Sequence, residues 1–294
     1  MISKKGRRTL TAYAFMAPAL VLLIIFTIVP IIGSMILMFF DYSVLGTTKF
    51  IGFDNFINAF SDREFLISIK NSILFVAVVP VIQILSILLA LLVNRKLPGM
   101  GTFRTLYYIP VVTSMVAVSI MWGFIFDPSG IINTFLIDNK IISQPLGFLN
   151  SKTTSMLCLM FITLWQGLGY YMMMYLAGLQ GIPSELSEAA QIDGANAWQR
   201  FINVTIPSIS PIIFYNVLTA LITHLQVINP ALALTDGGPG KKSMFMSYVI
   251  YLYGFQKNKM GYAAAYSVIF FLLVGVFTVI LFTTQKNQVF GEGE

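Results

Sequence analysis

Apolar residues in this chain fall into about six long runs separated by shorter polar stretches, with no strict apolar/polar alternation anywhere along the 294 residues. The runs cover Tyr13 to Phe39, Ile73 to Val93, Leu106 to Phe126, Ser155 to Tyr175, Pro207 to Ile228 and Tyr262 to Phe282. About 20 mostly apolar residues are enough for a helix to cross a hydrocarbon core about 30 Å thick. Lipid offers no partners for bare N–H and C=O groups, and a barrel needs an alternating strand pattern, so the runs predict helices. The predicted fold is an all-α, polytopic helical membrane bundle of about six transmembrane helices, forming a single domain over residues 1–294.

The polar stretches between the runs differ in kind. Asp54 to Lys70 is amphipathic, with Phe56, Ala59, Phe60, Phe65 and Ile69 set against Asn55, Asn58, Asp62, Arg63 and Glu64, and it predicts a helix on the outer membrane surface, part of a docking rim, or an interfacial helix that packs on its own bundle. Asp127 to Lys152 is a second connection, with Pro128, Gly130 and Asn133 as turn signals. A third, Pro183 to Pro207, predicts two short helices. Ser184 is placed to cap the first, Glu185 and Glu188 suit its positive N-terminal end, and Gly194 can adopt the left-handed conformation that ends it. Asn196 then caps the second. Ala189 and Ala190 leave little bulk beside the carboxylates, so another protein's backbone can approach while its Arg or Lys pairs with Glu188. Alternatively the segment is an ordinary solvated helical loop.

Composition agrees with a membrane location: 57% of residues are hydrophobic, 10% are charged and the mean hydropathy is +0.81, whereas soluble chains carry about a quarter charged residues. The formal charge of +6 raises the question of nucleic acid, but the basic residues flank the runs on both sides of the membrane and topology accounts for them, so no nucleic acid is expected. Lys4, Lys5, Arg7 and Arg8 precede the first run and predict a cytoplasmic N-terminus. Six crossings return the C-terminus to the cytoplasm, together with Arg95, Lys96, Arg104 and the Glu188 loop. The first run is too long for a cleaved signal segment and contains Pro18 and Pro30, so it is expected to remain as an anchor.

Catalytic chemistry is sparse. The one histidine, His224, has no acidic partner within the runs, none of which contains Asp or Glu, and Cys158 is the sole cysteine. No metal site is expected, and proton or sodium coupling through intramembrane carboxylates is disfavoured. The string GGPGKKS mimics a phosphate loop, but Thr235 stands where its first glycine belongs and no strand precedes it. Within the fifth run, Asn216, Thr219, Thr223 and Gln226 recur at helical spacing. In the fourth, Thr163, Gln166 and Tyr170 do the same. These hydroxyls, amides and an aromatic ring suit a neutral polyhydroxylated solute, or else hydrogen bonds between helices. Leu221 is expected on the lipid side of the fifth helix.

Glu188-Ala189-Ala190, three residues, Gly194 and then Val204-Thr205-Ile206-Pro207 resemble the EAA signature of the permease subunits of binding-protein-dependent ABC importers. FIGFDNFINAF at Phe50 to Phe60 with Asp62, Phe65 and Asn71, LTDGGPGKKS from Leu234, and GYAAAYSV from Gly261 look like further blocks of the carbohydrate permeases of that superfamily, similar to the maltose, glycerol-phosphate and multiple-sugar types. Val204 and Ile206 stand where Ile and Leu are commoner. The resemblance implies a multi-pass subunit of a bacterial-type cytoplasmic (inner) membrane, itself no enzyme and without cofactor. It implies a second homologous permease, two cytoplasmic ATP-binding subunits that hold ATP and Mg, an extracytoplasmic solute-binding protein and a sugar substrate. Glu185, Glu188, Ala189, Ala190, Asp193, Gly194 and Pro207 would then couple to the ATPase, and Gly237, Gly238, Pro239 and Gly240 are candidates for binding-protein contact. The rivals are a stand-alone secondary transporter or channel for a small polar solute, and a noncatalytic membrane scaffold.

Overall fold

A computed structural model describes residues 4–44, 46, 48–95 and 97–290, with side chains within 11–284. Lys96 and the side chains of Lys4, Lys5, Arg7 and Arg8, all used above to orient the chain, lie outside the described residues. Among the described residues, six helical stretches are long and apolar enough to span a membrane: Thr11–Leu37, Arg63–Val93, Met115–Asp138, Ser155–Gln180, Ser210–Leu234 and Met260–Thr284, called spans 1 to 6. Two two-residue strands, Phe40–Asp41 and Lys49–Phe50, pair antiparallel beside them. The chain is a polytopic helical bundle.

Two corrections to the predicted elements have physical causes. The Asp54 to Lys70 segment is not one surface helix: helix Asp54–Ser61 ends at Asp62, whose ψ of 116° is extended, and helix Arg63–Phe75 opens span 2. The Leu106 to Phe126 run is also not continuous. It divides into helices Met100–Val112 and Met115–Phe126, with Thr113 and Ser114 extended between them. The interruption is held by a tertiary contact, the Gln166 side-chain amide donating to Thr113 O.

The chain forms two compact units. One comprises residues up to Arg63 and Ile250–Phe271. Span 1 contributes no buried residue in its most apolar stretch, and it widens into a π turn at Ile24–Ile28, immediately before the helix segment that carries Pro30. Buried Asn55 donates to the carbonyls of Met38 and Phe40 at 2.8 and 3.0 Å, fixing the short hairpin. The Asp62 carboxylate accepts hydrogen bonds from Tyr253 and Tyr266, both at 2.7 Å, and a longer one from Tyr262 at 3.4 Å. Gly261 donates its N–H to Tyr42 O. A Cβ there would stand 1.9 Å from Phe40 O, so no side chain fits.

The other unit comprises Glu64–Val249 and residues from Leu272 onward. Its core sits where span 2 packs on span 4, with Phe75, Ile82, Leu159, Met172 and Tyr175 fully or nearly fully buried. Span 4 also lies close to helix Met100–Val112, where a Cβ on Gly169 would come 2.0 Å from Tyr107 O. A polar chain crosses this core, Tyr175 donating to Gln83 Oε1 at 2.6 Å and Gln83 donating to Asn216 O at 3.3 Å. Contrary to expectation, Leu221 is buried.

Candidate functional site

Three polar regions, all within the second unit, bear on function. Span 4 runs 26 residues, about 39 Å at 1.5 Å per residue. It separates the loop that follows it, Pro183 to Pro207, from the segments around Lys152.

In that loop the first helix is Ser184–Ile192, with Pro183 at the capping position and Ser184 already helical. The side-chain cap expected from Ser184 is therefore not formed. Its end is built as anticipated, with Gly194 at φ +82°. Gly194 N–H donates to Gln191 O at 3.1 Å and Ala195 N–H to Ala190 O at 2.9 Å, the paired bonds of a Schellman cap. Asn196 and Gln199 form a reciprocal capping box on helix Ala197–Arg200, with bonds of 2.8 and 2.9 Å. Arg200 braces the two helices by donating to Gln191 Oε1 at 2.9 Å. The chain passes through a π turn, Phe201–Thr205, to Pro207.

Glu185, Glu188, Ala189 and Asp193 are exposed and Ala190 is half-buried. Neither Glu185 nor Glu188 forms an ion pair among the described residues. Ile192, 86% exposed, and Trp198, 69% exposed, were not singled out from the sequence. The signal was present: Glu185, Glu188, Ala189 and Ile192 lie at steps of three, four and seven, one face of a helix. That face combines carboxylates, a methyl group and a bare apolar side chain.

The second region is a cavity of about 300 Å³ walled by Thr163, Gln166, Gly167, Thr223, Gln226 and Asn229, among others. Two interrupted helices meet it. Met115, just after the Thr113–Ser114 break, lines one side, and the break between Leu225 and Asn229 lines the other. The Gln166 amide donates to Thr113 O at 2.9 Å, satisfying a carbonyl released by the first break. Thr163 and Thr223 donate backward to carbonyls of their own helices. His224 joins the lining while its Nδ1 lies 2.7 Å from Ala220 O. No lining residue carries a carboxylate, an ammonium or a guanidinium group.

The predicted solute stripe is thus divided. Thr163, Gln166, Thr223 and Gln226 come together, whereas Asn216, Thr219 and Tyr170 do not line this cavity. Asn216 is fully buried, with its amide beside the Tyr175 hydroxyl and in no other hydrogen bond among the described residues. Thr219 bonds its own helix, and the Tyr170 ring packs edge-on against Tyr171.

The third region is the turn through Gly237 to Gly240. Gly237 is buried at φ +81°, and a Cβ there would meet the Tyr248 ring at 2.8 Å. Tyr248 donates to Asp236 Oδ1 at 2.9 Å, and Ser243 donates to Gly238 O at 2.6 Å. Gly238 and Pro239 are half-buried, and Gly240 is exposed. Asn71 holds the following residues in place, donating to Lys241 O at 2.8 Å and Met244 O at 3.0 Å. Among the described residues, no cluster of three or more His, Cys, Asp or Glu could hold a metal.

Broken membrane helices around a neutral cavity, with an exposed two-helix loop beyond span 4, define a multi-pass membrane transport subunit. Residues 69–287 match the family described as the binding-protein-dependent transport system inner membrane component, and the chain belongs to that family. It is 35% identical to the probable ABC transporter permease protein YesP of Bacillus subtilis (strain 168), over 97% of this chain and 93% of that one. It is 34% identical to the probable starch degradation products transport system permease protein AmyD of Thermoanaerobacterium thermosulfurigenes, over 94% of each. Among solved structures, a chain of a bacterial alginate ABC transporter, crystallised in complex with an alginate pentasaccharide-bound periplasmic protein, matches with a TM-score of 0.86. It shares 25% identity and covers 98% of each chain.

Proposed function

We propose that this chain is the membrane-spanning subunit of an ATP-driven importer for a neutral saccharide. It pairs with a second homologous permease, two cytoplasmic ATP-binding subunits and an extracytoplasmic solute-binding protein in a bacterial-type cytoplasmic membrane. The observation that carries the solute assignment is the cavity where two broken helices meet amides and hydroxyls without a charged group. Discontinuous helices with such linings are a recurrent way to hold solute within a bilayer. A neutral sugar fits that chemistry. A carboxylated sugar would leave its charge unpaired, which is costly in a low-dielectric cavity.

Coupling belongs to the Glu188 face. With both termini and the Pro183 to Pro207 loop in the cytoplasm, an ATPase groove receives the Ser184–Ile192 helix, and its closure moves the bundle as a rigid body. The Schellman cap, the capping box and the Arg200 brace make the loop stiff enough to transmit that motion. ATP and Mg reside on the partners, and this chain performs no hydrolysis.

The test is ATP-dependent uptake by the reconstituted complex. Neutral oligosaccharides should compete for uptake and uronate oligosaccharides should not; uptake without the ATPase would establish a stand-alone carrier instead. Orientation is checked by single cysteines in a Cys158-free background, with Ser187 labelled only from the cytoplasm and Lys242 only from outside. Both positions are exposed, unlike Ser243, which is buried in its turn.

A further inference from the structure

A second cavity, about 580 Å³, lies where the start of span 4, the start of span 2 and the loop after Gly240 come together, and four lysines line it: Lys70, Lys152, Lys241 and Lys242. Like charges do not converge by default, and here the structure holds them. Asn71 pins the backbone that carries Lys241 and Lys242 through its two amide bonds. Lys241 is fixed by a 2.8 Å ion pair with Glu64. The Lys152 stem lies against Gly240, where a Cβ would stand 2.7 Å from Lys152 Cε. Lys70, Lys152 and Lys242 are exposed and form no ion pair among the described residues. One carboxylate against four ammonium groups leaves a net positive cleft.

Besides Asn71, Thr153 and Gly240, the rest of the lining is apolar: Ile67, Leu74, Met156 and Leu157, of which Leu74 and Leu157 are 48% and 61% exposed. Lys70 and Leu74 are four residues apart in helix Arg63–Phe75, one above the other on a single face. A ligand seated here meets ammonium groups at one level and bare hydrocarbon one helical turn deeper. A free anion uses only the first. An acidic protein surface also leaves the leucines uncovered. A phospholipid with an anionic headgroup uses both, setting its phosphate among the lysines and its acyl chains along Leu74 and Leu157.

We propose that this lysine-rimmed cleft is a binding site for an anionic phospholipid at the headgroup level of the bilayer. The inference rests on these spans crossing a membrane and is independent of the solute and coupling assignments, so uptake measurements and lipid retention succeed or fail separately.

The experiment is native mass spectrometry of the full chain purified in detergent, supplied with phosphatidylglycerol or phosphatidylcholine. The wild-type chain should retain phosphatidylglycerol in preference. The variant Lys70→Gln/Lys152→Gln/Lys242→Gln should lose that preference by about tenfold or more, since each lysine near a membrane surface adds attraction for anionic lipid. The corresponding triple arginine variant should keep it. Equal retention of the two lipids by the wild type, or an unchanged preference in the glutamine variant, would overturn the proposal. Displacement of the lipid by inorganic phosphate at equal concentration would mark a free-anion site, and displacement by polyglutamate an acidic-protein surface; either result also overturns it. If the glutamine variant does not purify, Glu64→Gln decides: freeing Lys241 should strengthen retention, and no change would count against the site.

Discussion

The Pro183 to Pro207 loop and the knot around Asp62 are both polar inserts in an apolar chain, yet their side chains face opposite ways. Asp62 is enclosed by Tyr253, Tyr262 and Tyr266, and the nearby Asn55 donates to two backbone carbonyls. Glu185, Glu188, Ile192 and Trp198 are exposed. In the loop, hydrogen bonds are confined largely to the backbone, the caps and the Arg200 brace, so its shape is fixed while its working side chains stay free. Inward-facing polar residues hold the molecule's own segments together; outward-facing ones on a stiff frame await another molecule. Both motifs look alike as strings of letters, and only the direction of their side chains separates architecture from contact.

The sharpest challenge to that contrast is Glu188→Lys, which should leave membrane insertion intact and lower ATP-dependent uptake by about a hundredfold, since like charges set against each other at an interface cost several kcal/mol. Wild-type uptake would mean that the exposed face makes no contact that matters. Next is Asp62→Ala, which removes the acceptor of the tyrosine hydroxyls and should destabilise the chain by about 2 kcal/mol, with Asp62→Asn recovering part of the loss. The measurement is thermal unfolding in detergent, with uptake per folded molecule expected to hold. A smaller effect is expected at the cavity, where Thr223→Leu removes one neutral hydrogen bond and should weaken uptake by about twofold to tenfold, corresponding to about 0.5–1.4 kcal/mol. Smallest of all is Asn216→Leu, whose amide meets only the Tyr175 hydroxyl and lies outside the cavity, so unfolding should shift by less than about 1 kcal/mol. A large loss of uptake there would move the solute path toward Gln83 and Tyr175.

The spans were legible because apolar length is the requirement the bilayer imposes, and five of the six predicted runs overlap the structural spans over most of their length. The exception, span 3, depends on a tertiary event. The Thr113–Ser114 interruption is accommodated by a Gln166 amide 53 residues away, and no local pattern announces it. The break at Asp62 is similar, since its partners lie 191 to 204 residues along the chain. Leu221 was misplaced for another reason: a leucine facing lipid and one facing a neighbouring helix are equally apolar, so hydropathy does not distinguish them. At the candidate site, Gly194 and Asn196 were readable because capping chemistry is local. Asn216 and Thr223 share a helical stripe, but span 5 breaks after Leu225 and the cavity forms at that end, which separates them by depth rather than by face.

Gly194 has a further consequence, one of chirality rather than size. A Cβ built there meets no atom within 4 Å, so neither volume nor packing excludes a side chain. What excludes it is the backbone's handedness at φ +82°, a region L residues rarely occupy and their mirror images favour. D-alanine introduced at this position by semisynthesis should therefore leave the turn intact, where L-alanine would distort it. The loop is selective for stereochemistry at a point where it is indifferent to bulk.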